Sequence, residues 1–242
     1  MPIEIGQIEA IFRYPVKSMR GEPLDAATLG WHGVEGDRRL AFRRLEERGG
    51  FPWLTASKLP ELVLFTPRRA ESSGSEGLPS HVLTPQGDEL PVFGEALVAE
   101  VTRRLGSPVE MTHREQGIFD DSAVSVITSA TVREVSRLAE TPADLRRFRP
   151  NIVVRSTRAT PFEEDEWLGA VLAFGAAEGA PAVTVTKRDV RCVMVNIDPD
   201  EGRTTPEMLK AVVRANQNFA GVYGSVMRLG PLAVGQPVFL SR

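Results

Sequence analysis

The feature that most limits what this chain can fold into is its punctuation: short apolar runs, four to eight residues in length, interrupted again and again by turn residues. From Ile3 to about Pro91 the runs are "IGQIEAIF", "RRLAFRR", "ELVLFTP", "SHVLTP" and "ELPVFG". That spacing predicts strands of an antiparallel sheet or barrel. The segment "RRAESSGSEGLPS", Arg68 to Ser80, is small, polar and glycine-rich, and is expected to be a mobile hairpin connection rather than a domain boundary.

The period then changes. "EALVAEVTRRLG" carries Leu97, Val101 and Leu105 four residues apart and stops on Gly106, which predicts a short amphipathic helix. "VSVIT" reads as a strand, and "SATVREVSRLAE" as a helix with Val132, Val135, Leu138 and Ala139 on one face. After Pro150 strands return in "NIVVR", "AVLAFG", "AVTVTK", "CVMVNI", "GVYGSVMRLG" and "GQPVFL". One helix, "MLKAVVRAN", interrupts them, announced by Thr205 as cap, Pro206 at its first position and Glu207 in its first turn. There is no internal repeat. The expected class is α+β and β-rich, with a strand-rich amino-terminal part and a larger carboxy-terminal part holding a few helices.

At 242 residues the chain can bury a substantial core, as one large domain or two small ones packed together. Its net charge of −3 gives no sign of a general affinity for nucleic acid or membranes. The amino terminus, "MPIEIGQIEAIFRYPVKSM", has no basic segment followed by an apolar stretch, and its acids argue against a transit peptide. No apolar run approaches the roughly 20 residues that span a bilayer. The expected location is cytoplasmic.

Cys192, in "KRDVRCVMVNIDPDEG", is the chain's single cysteine. It excludes an internal disulfide, a four-cysteine zinc site and an iron–sulfur cluster ligated in the usual way. Two readings of the thiol stay open. A free cysteine is among the most buried residue types, so Cys192 can be a small hydrophobe in a core strand. Arg191, Arg188 and Lys187 close by can instead lower its pKa and make it a ligand or nucleophile.

Other segments carry the same ambiguity. In "FRYPVKSMRGEPL" the Lys17 ammonium and Ser18 hydroxyl fall at a turn and can cradle an anion, or form an ordinary exposed turn. "RRFRPNIVV" sets three arginines and Asn151 before a buried-looking strand; arginine forks suit phosphates and heterocycle edges. A solvated charge cluster accounts for Arg146 and Arg147, but less well for Arg149 and Asn151. His32, His81 and His113 lack metal-site spacing, and "FEEDEW" reads as a solvated acidic loop. Asp198 in "NIDPDEG" reads as an Asp-Pro turn, or as a group that orients the site or handles a proton.

Taken in order, "YPVKSMRG", "GVEGDRRLAF", "DDSAVSVITSAT", "RFRPNIVV", "PFEEDEW" and "RCVMVNIDPDEG" resemble the MOSC family, related to the carboxy-terminal domain of molybdenum cofactor sulfurases and including amidoxime-reducing enzymes. The resemblance runs from about residue 3 to 240. It implies an amino-terminal β-barrel part over 1–92 and a MOSC β-barrel domain over 93–242, packed as one unit with a few peripheral helices. It implies the molybdenum cofactor, a molybdopterin, with Cys192 as the catalytic thiolate and metal ligand. Lys17 and Ser18 match the family's anion-binding pair, Arg38 a further basic position, Arg149 and Asn151 the cofactor-contacting Arg-Pro-Asn, Ser122 a hydroxyl position, and Arg191 flanks the ligand.

Two positions depart from the family pattern. Asp120 to Ala123 reads Asp-Asp-Ser-Ala where an Asp-Thr-Ser-Pro-like segment is usual, so Asp121 repels a nearby phosphate unless it points away. Asp189 stands where many relatives carry a second cysteine. The implied function is reduction of N-hydroxylated or other N–O small molecules by oxygen-atom transfer, with electrons from an external ferredoxin or flavin reductase-like donor. The rival is a sulfur carrier or cofactor-handling protein using a Cys192 persulfide received from a sulfur donor protein.

Overall fold

The computed structural model describes residues 1–69 and 77–242. Along the chain run β1 (Ile3–Arg13), β2 (Glu22–Leu24), β3 (Ala26–Gly30), β4 (Gly33–Val34), β5 (Leu40–Arg44), β6 (Thr66–Arg68), β7 (His81–Leu83) and β8 (Glu89–Pro91). Then follow α1 (Glu95–Leu105), β9 (Val109–His113), β10 (Val124–Thr128), α2 (Ser129–Leu138), β11 (Ile152–Ser156), β12 (Val171–Phe174) and β13 (Ala182–Val190). The chain finishes with α3 (Glu207–Asn216), β14 (Phe219–Arg228), β15 (Gly230–Ala233) and β16 (Pro237–Ser241). The fold is α+β and β-rich, as the punctuation predicts. The segment expected to be a mobile hairpin connection lies largely outside the described residues; β6 and β7 on either side of it pair antiparallel.

Seven strands close a barrel in the order β11, β10, β14, β13, β12, β16, β1, with β1 returning to β11 and β2 added to the far end of β1. Closure depends on the length of β1. Its first residues pair with β16 and its middle with β11. Gly6 lies where the two pairings meet, at φ 154°, and a Cβ there would stand 2.2 Å from the Arg155 carbonyl oxygen. Only glycine fits so close an approach. β10 and β11 are parallel, so the connection between them must cross over, and it carries α2. Ile8, Val126, Val154, Leu172, Val183 and Val222 fill the interior, which is a packed core rather than a channel.

A second core gathers Leu40, Phe42, Leu54, Phe65, Leu97 and Val101 among the β5–β9 ribbon, the β6–β7–β8 sheet and α1. α1 forms as its spacing predicts: Leu97 and Val101 are buried, and Gly106, at φ 77°, returns its N–H to the Thr102 carbonyl. Ile197 reaches this core from the far end of the chain. A third cluster seats α2 and α3 on the barrel through Ile127, Val132, Val135, Val153, Met208 and Val212. Leu138, expected on that face, is exposed at the last turn of α2, and Ala139 makes the contact.

Four local expectations are corrected. "CVMVNI" is no strand: β13 ends at Val190, the Arg191 amide donates to the Asn218 carbonyl, and Val193–Asn196 is a 3₁₀ turn. "ELVLFTP" begins inside a 3₁₀ turn, Pro60–Leu64, started by the proline just before it, which has no N–H for a ladder. Both runs are too short for periodicity to separate strand from turn. Thr205 does not cap α3; Leu209 N–H donates instead to the Asn196 Oδ1 at 2.8 Å, a cap supplied from another turn. "FEEDEW" is not solvated throughout: Glu163, Glu164 and Trp167 are buried in a 3₁₀ turn, Glu163–Trp167. The Thr128 and Thr131 hydroxyls each donate to the Glu164 carboxylate at 2.9 Å, and Thr128 Oγ1 in turn accepts from Thr131 N–H at the start of α2.

Candidate functional site

Where one end of the barrel meets the second core lies a cavity of about 380 Å³. Lys17, Ser18, Arg38, Arg149, Arg191 and Cys192, far apart in sequence, all line it. Cys192 is exposed on its wall, which settles the first ambiguity: the thiol is not a core residue. It follows the last residues of β13 as the chain leaves the sheet and precedes the 3₁₀ turn, Val193–Asn196.

The cations are held by unusual backbone. Ser18, Arg38 and Arg149 have φ of 68°, 49° and 50°, left-handed values that non-glycine residues seldom adopt, and none carries a sequence signal for it. Tyr14 organises two of the arginines. The Arg149 guanidinium lies 4.2 Å from its ring centroid and that of Arg38 4.8 Å. Buried Asp37 accepts from Tyr14 N–H at 2.7 Å and pairs with Arg38, whose Nη2 donates to the Arg149 carbonyl at 3.1 Å. Burial opposes the charge of Arg38, but Asp37, Tyr14 and Tyr223 together outweigh it and the Arg38 pKa is raised.

Arg149 differs. Its Nη1 donates to the Met19 carbonyl at 2.8 Å, while Nη2 is buried with no hydrogen-bond partner among the described residues. Burial pushes its pKa down to about 10, so it still carries its charge at neutral pH. Lys17 is no surface lysine: it is 4% exposed, 2.7 Å from Asp120, and donates to the Ile118 carbonyl at 3.2 Å. Burial lowers its pKa against the pull of Asp120. Arg191 is fixed by the Ala220 carbonyl at 2.6 Å, the Phe148 carbonyl at 2.7 Å and the Asp189 carboxylate at 2.9 Å. Gly221 makes room for it, since a Cβ there would lie 3.0 Å from Arg191 Nη2.

Two expected residues stand outside the lining. Ser122 donates to the Gly224 carbonyl at 3.1 Å. Asn151 is buried and spends its amide on backbone, accepting from Ser125 N–H at 3.1 Å and donating to the Phe12 carbonyl at 3.3 Å. Asp121 lines the cavity but pairs with Lys187. Asp198 closes a turn by accepting from the amides of Asp200 and Glu201, and pairs with the buried Arg147 at 2.6 Å. Sequence reasoning missed Tyr14, Asp37, Ser125, Arg147 and Tyr223, and took Asp189 only as a missing thiol. Ser125 and Tyr223 are polar residues inside apolar strand runs and Tyr14 stands beside a proline, signals that by themselves name no site.

Comparisons with known proteins bear on the family and the fold. The family model described as the MOSC domain matches residues 92–239, and that of the MOSC N-terminal beta barrel domain matches 5–97. The chain is similar to mitochondrial amidoxime reducing component 2 of Bos taurus, 26% identical over 98% of this chain and 83% of that protein. Its likeness to the Homo sapiens protein of the same name is 24% over 98% and 84%. Among solved structures, the YUAD protein of Bacillus subtilis superimposes with a TM-score of 0.52 over 99% of this chain and 98% of its own, at 13% identity, which speaks for the fold alone. On the family models, which together span the barrel, the second core and every residue of the cavity wall, the chain belongs to the MOSC domain family.

Proposed function

We propose that the cavity holds the molybdenum cofactor with Cys192 as a thiolate ligand to the metal, and that the protein reduces N-hydroxylated or related N–O compounds. One observation carries this reading: the chain's single thiol is exposed in the wall of a cavity lined also by Lys17, Arg38 and Arg149, and the Nη2 of Arg149 is buried with no hydrogen-bond partner among the described residues. A soft thiolate suits a metal bound through sulfur. An unpaired buried donor in a cationic pocket suits a phosphate. The volume falls within the usual range for small-molecule sites. The names of the relatives, amidoxime reducing components, point to the same substrate class.

In this reading Arg149, Arg38, Lys17 and Ser18 neutralise and orient the anionic group, with Asp120 yielding or sharing the Lys17 ammonium. Phe51, Met194 and Val195 wall the cavity on its apolar side and exclude water. Asp121, held by Lys187, does not oppose the phosphate. When bound, the cofactor supplies a two-electron oxygen-atom acceptor. In this reading electrons come from outside these residues, from a ferredoxin or flavin reductase-like donor, because one cysteine holds no iron–sulfur cluster. No helix among the described residues is long and apolar enough to cross a membrane.

The test is expression in a host that makes the cofactor, comparing the protein with Cys192→Ser for molybdenum content and for reduction of benzamidoxime by reduced viologen. Stoichiometric metal, lost together with turnover in the variant, is the expected result. Metal retained unchanged in Cys192→Ser overturns the ligand role. Because Cys192 is exposed, a sulfur-carrier reading also stands; metal without turnover, or sulfane sulfur released from Cys192, favours it.

A further inference from the structure

Three polar side chains on adjacent barrel strands line the cavity without a part in the reading above: Ser125 on β10, Tyr223 on β14 and Asp189 on β13. Ser125 and Tyr223 are register partners across β10 and β14, and β13 pairs with β14 on its other side. Asp189 is 2% exposed. Its Oδ2 accepts from Ser125 Oγ at 3.2 Å and lies 2.9 Å from Arg191 Nη2, and Tyr223 acts on the same carboxylate from the neighbouring strand. Arg191 is anchored by two carbonyls and stays beside it.

The charged groups acting on this carboxylate are Arg191 at the end of its own strand and Arg38 from the turn before β5; Asp120 acts on Tyr223. Burial raises the Asp189 pKa in spite of Arg191 and the two hydroxyl donors. An acid so placed takes up a proton more readily than an exposed aspartate and has a phenol as its neighbour in the cavity wall.

Reduction of an N–O bond consumes protons as well as electrons. For an N-hydroxylated compound the balance is N–OH plus two electrons and two protons giving N–H and water: the N–O bond breaks, N–H and O–H bonds form, and the electrons come from the external donor. We propose that Tyr223 donates protons to this reaction and that Asp189, acting through the Tyr223 hydroxyl, reprotonates it. The proposal rests on the N–O reduction reading.

With Asp189 protonated, its O–H donates to Tyr223 Oη, and the phenolic hydrogen is free to face the cavity. A proton leaves Tyr223 for the substrate's oxygen as the Asp189 proton passes to Tyr223. The carboxylate left behind is stabilised by Arg191 and Ser125 until solvent restores its proton, and the second proton follows by the same cycle. Asp189 is therefore a positioning and proton-holding residue, and Tyr223 is the group that meets substrate.

The test uses Asp189→Asn and Tyr223→Phe, each produced with and without cofactor. In loaded protein, with benzamidoxime and reduced viologen, kcat is expected to fall about a hundredfold in both, in line with lost general acid catalysis, while KM and molybdenum content stay near those of the parent. The parent's kcat declines as pH rises through the Asp189 pKa, and that limb is absent from Asp189→Asn. In cofactor-free protein, infrared titration is expected to show a protonated-carboxyl band that survives above the pH at which exposed aspartates ionise and that Asp189→Asn removes. Loaded variants with the parent's kcat and pH profile overturn the proposal, as does an infrared titration that Asp189→Asn leaves unchanged. Molybdenum missing from the parent overturns the cofactor reading instead, and the infrared result still judges Asp189. If Asp189→Asn fails to fold, Tyr223→Phe carries the kinetic test.

Discussion

Tyr14 is the residue on which the charge of the cavity is assembled. Two arginines stack on its ring, and its hydroxyl is buried with no hydrogen-bond partner among the described residues. The ring and the hydroxyl therefore have opposite values. Tyr14→Phe keeps both stacking contacts and removes an unsatisfied group, so the cofactor-free protein should bind inorganic phosphate as tightly as the parent. Tyr14→Leu loses both cation–π contacts, about 1–3 kcal/mol together, and should weaken phosphate binding by tenfold or more in a calorimetric titration. Equal affinity in the leucine variant would show that the backbone alone sets the arginines. At this scale the sequence was legible in Lys17, Arg38, Arg149 and Cys192, whose motifs named them. Tyr223 and Asp189 were not, because their meeting depends on strand register that no local pattern encodes.

Among the elements, the acidic 3₁₀ turn ending at Trp167 departs furthest from what its composition suggests. Burial pushes the Glu164 carboxyl up to about 7, although the Thr128 and Thr131 hydroxyls oppose the shift. An unfolded glutamate titrates at about 4.3. Between those values the folded protein holds a proton that the unfolded chain has released, so this group's contribution to stability is full below about pH 4 and lost as pH rises to about 7. The loss is on the order of 3 kcal/mol. Glu164→Gln is neutral throughout and should remove this slope, so that urea unfolding at a series of pH values shows the variant gaining on the parent as the pH is raised. Parallel curves would mean that Glu164 is charged in the folded protein at no cost. The turns at Val193–Asn196 and Pro60–Leu64 teach the same lesson from the apolar side: a short, mostly apolar run fits a turn against the core as well as a strand.

For the molecule as a whole, β1 is the strand that the rest cannot do without. It pairs with β16, β11 and β2, closes the barrel, and leads directly into the Tyr14–Ser18 segment, whose Lys17 and Ser18 line the cavity. A chain lacking residues 1–13 should therefore lose the cooperative unfolding transition of the barrel, with its β10–β16 amides exchanging with solvent far faster than in the parent. Retained protection in β10–β16 would show that the remaining strands close without β1. The cavity depends on the same closure, since one side comes from turns beside the second core and the other from barrel strands.

By itself, the sequence determined the β-rich class, the positions of α1, α2 and α3, the exclusion within these residues of an internal disulfide and of an iron–sulfur cluster ligated in the usual way, and the motifs that carry the resemblance to the MOSC family. Those are properties of period, composition and local spacing. Only the tertiary structure decided that Cys192 is exposed in a cavity wall, that Arg149 lines the same cavity with one buried nitrogen unpartnered among the described residues, and that Ser125, Asp189 and Tyr223 meet on three neighbouring strands. These facts follow from barrel closure and register, which bring residues more than sixty positions apart within hydrogen-bond reach.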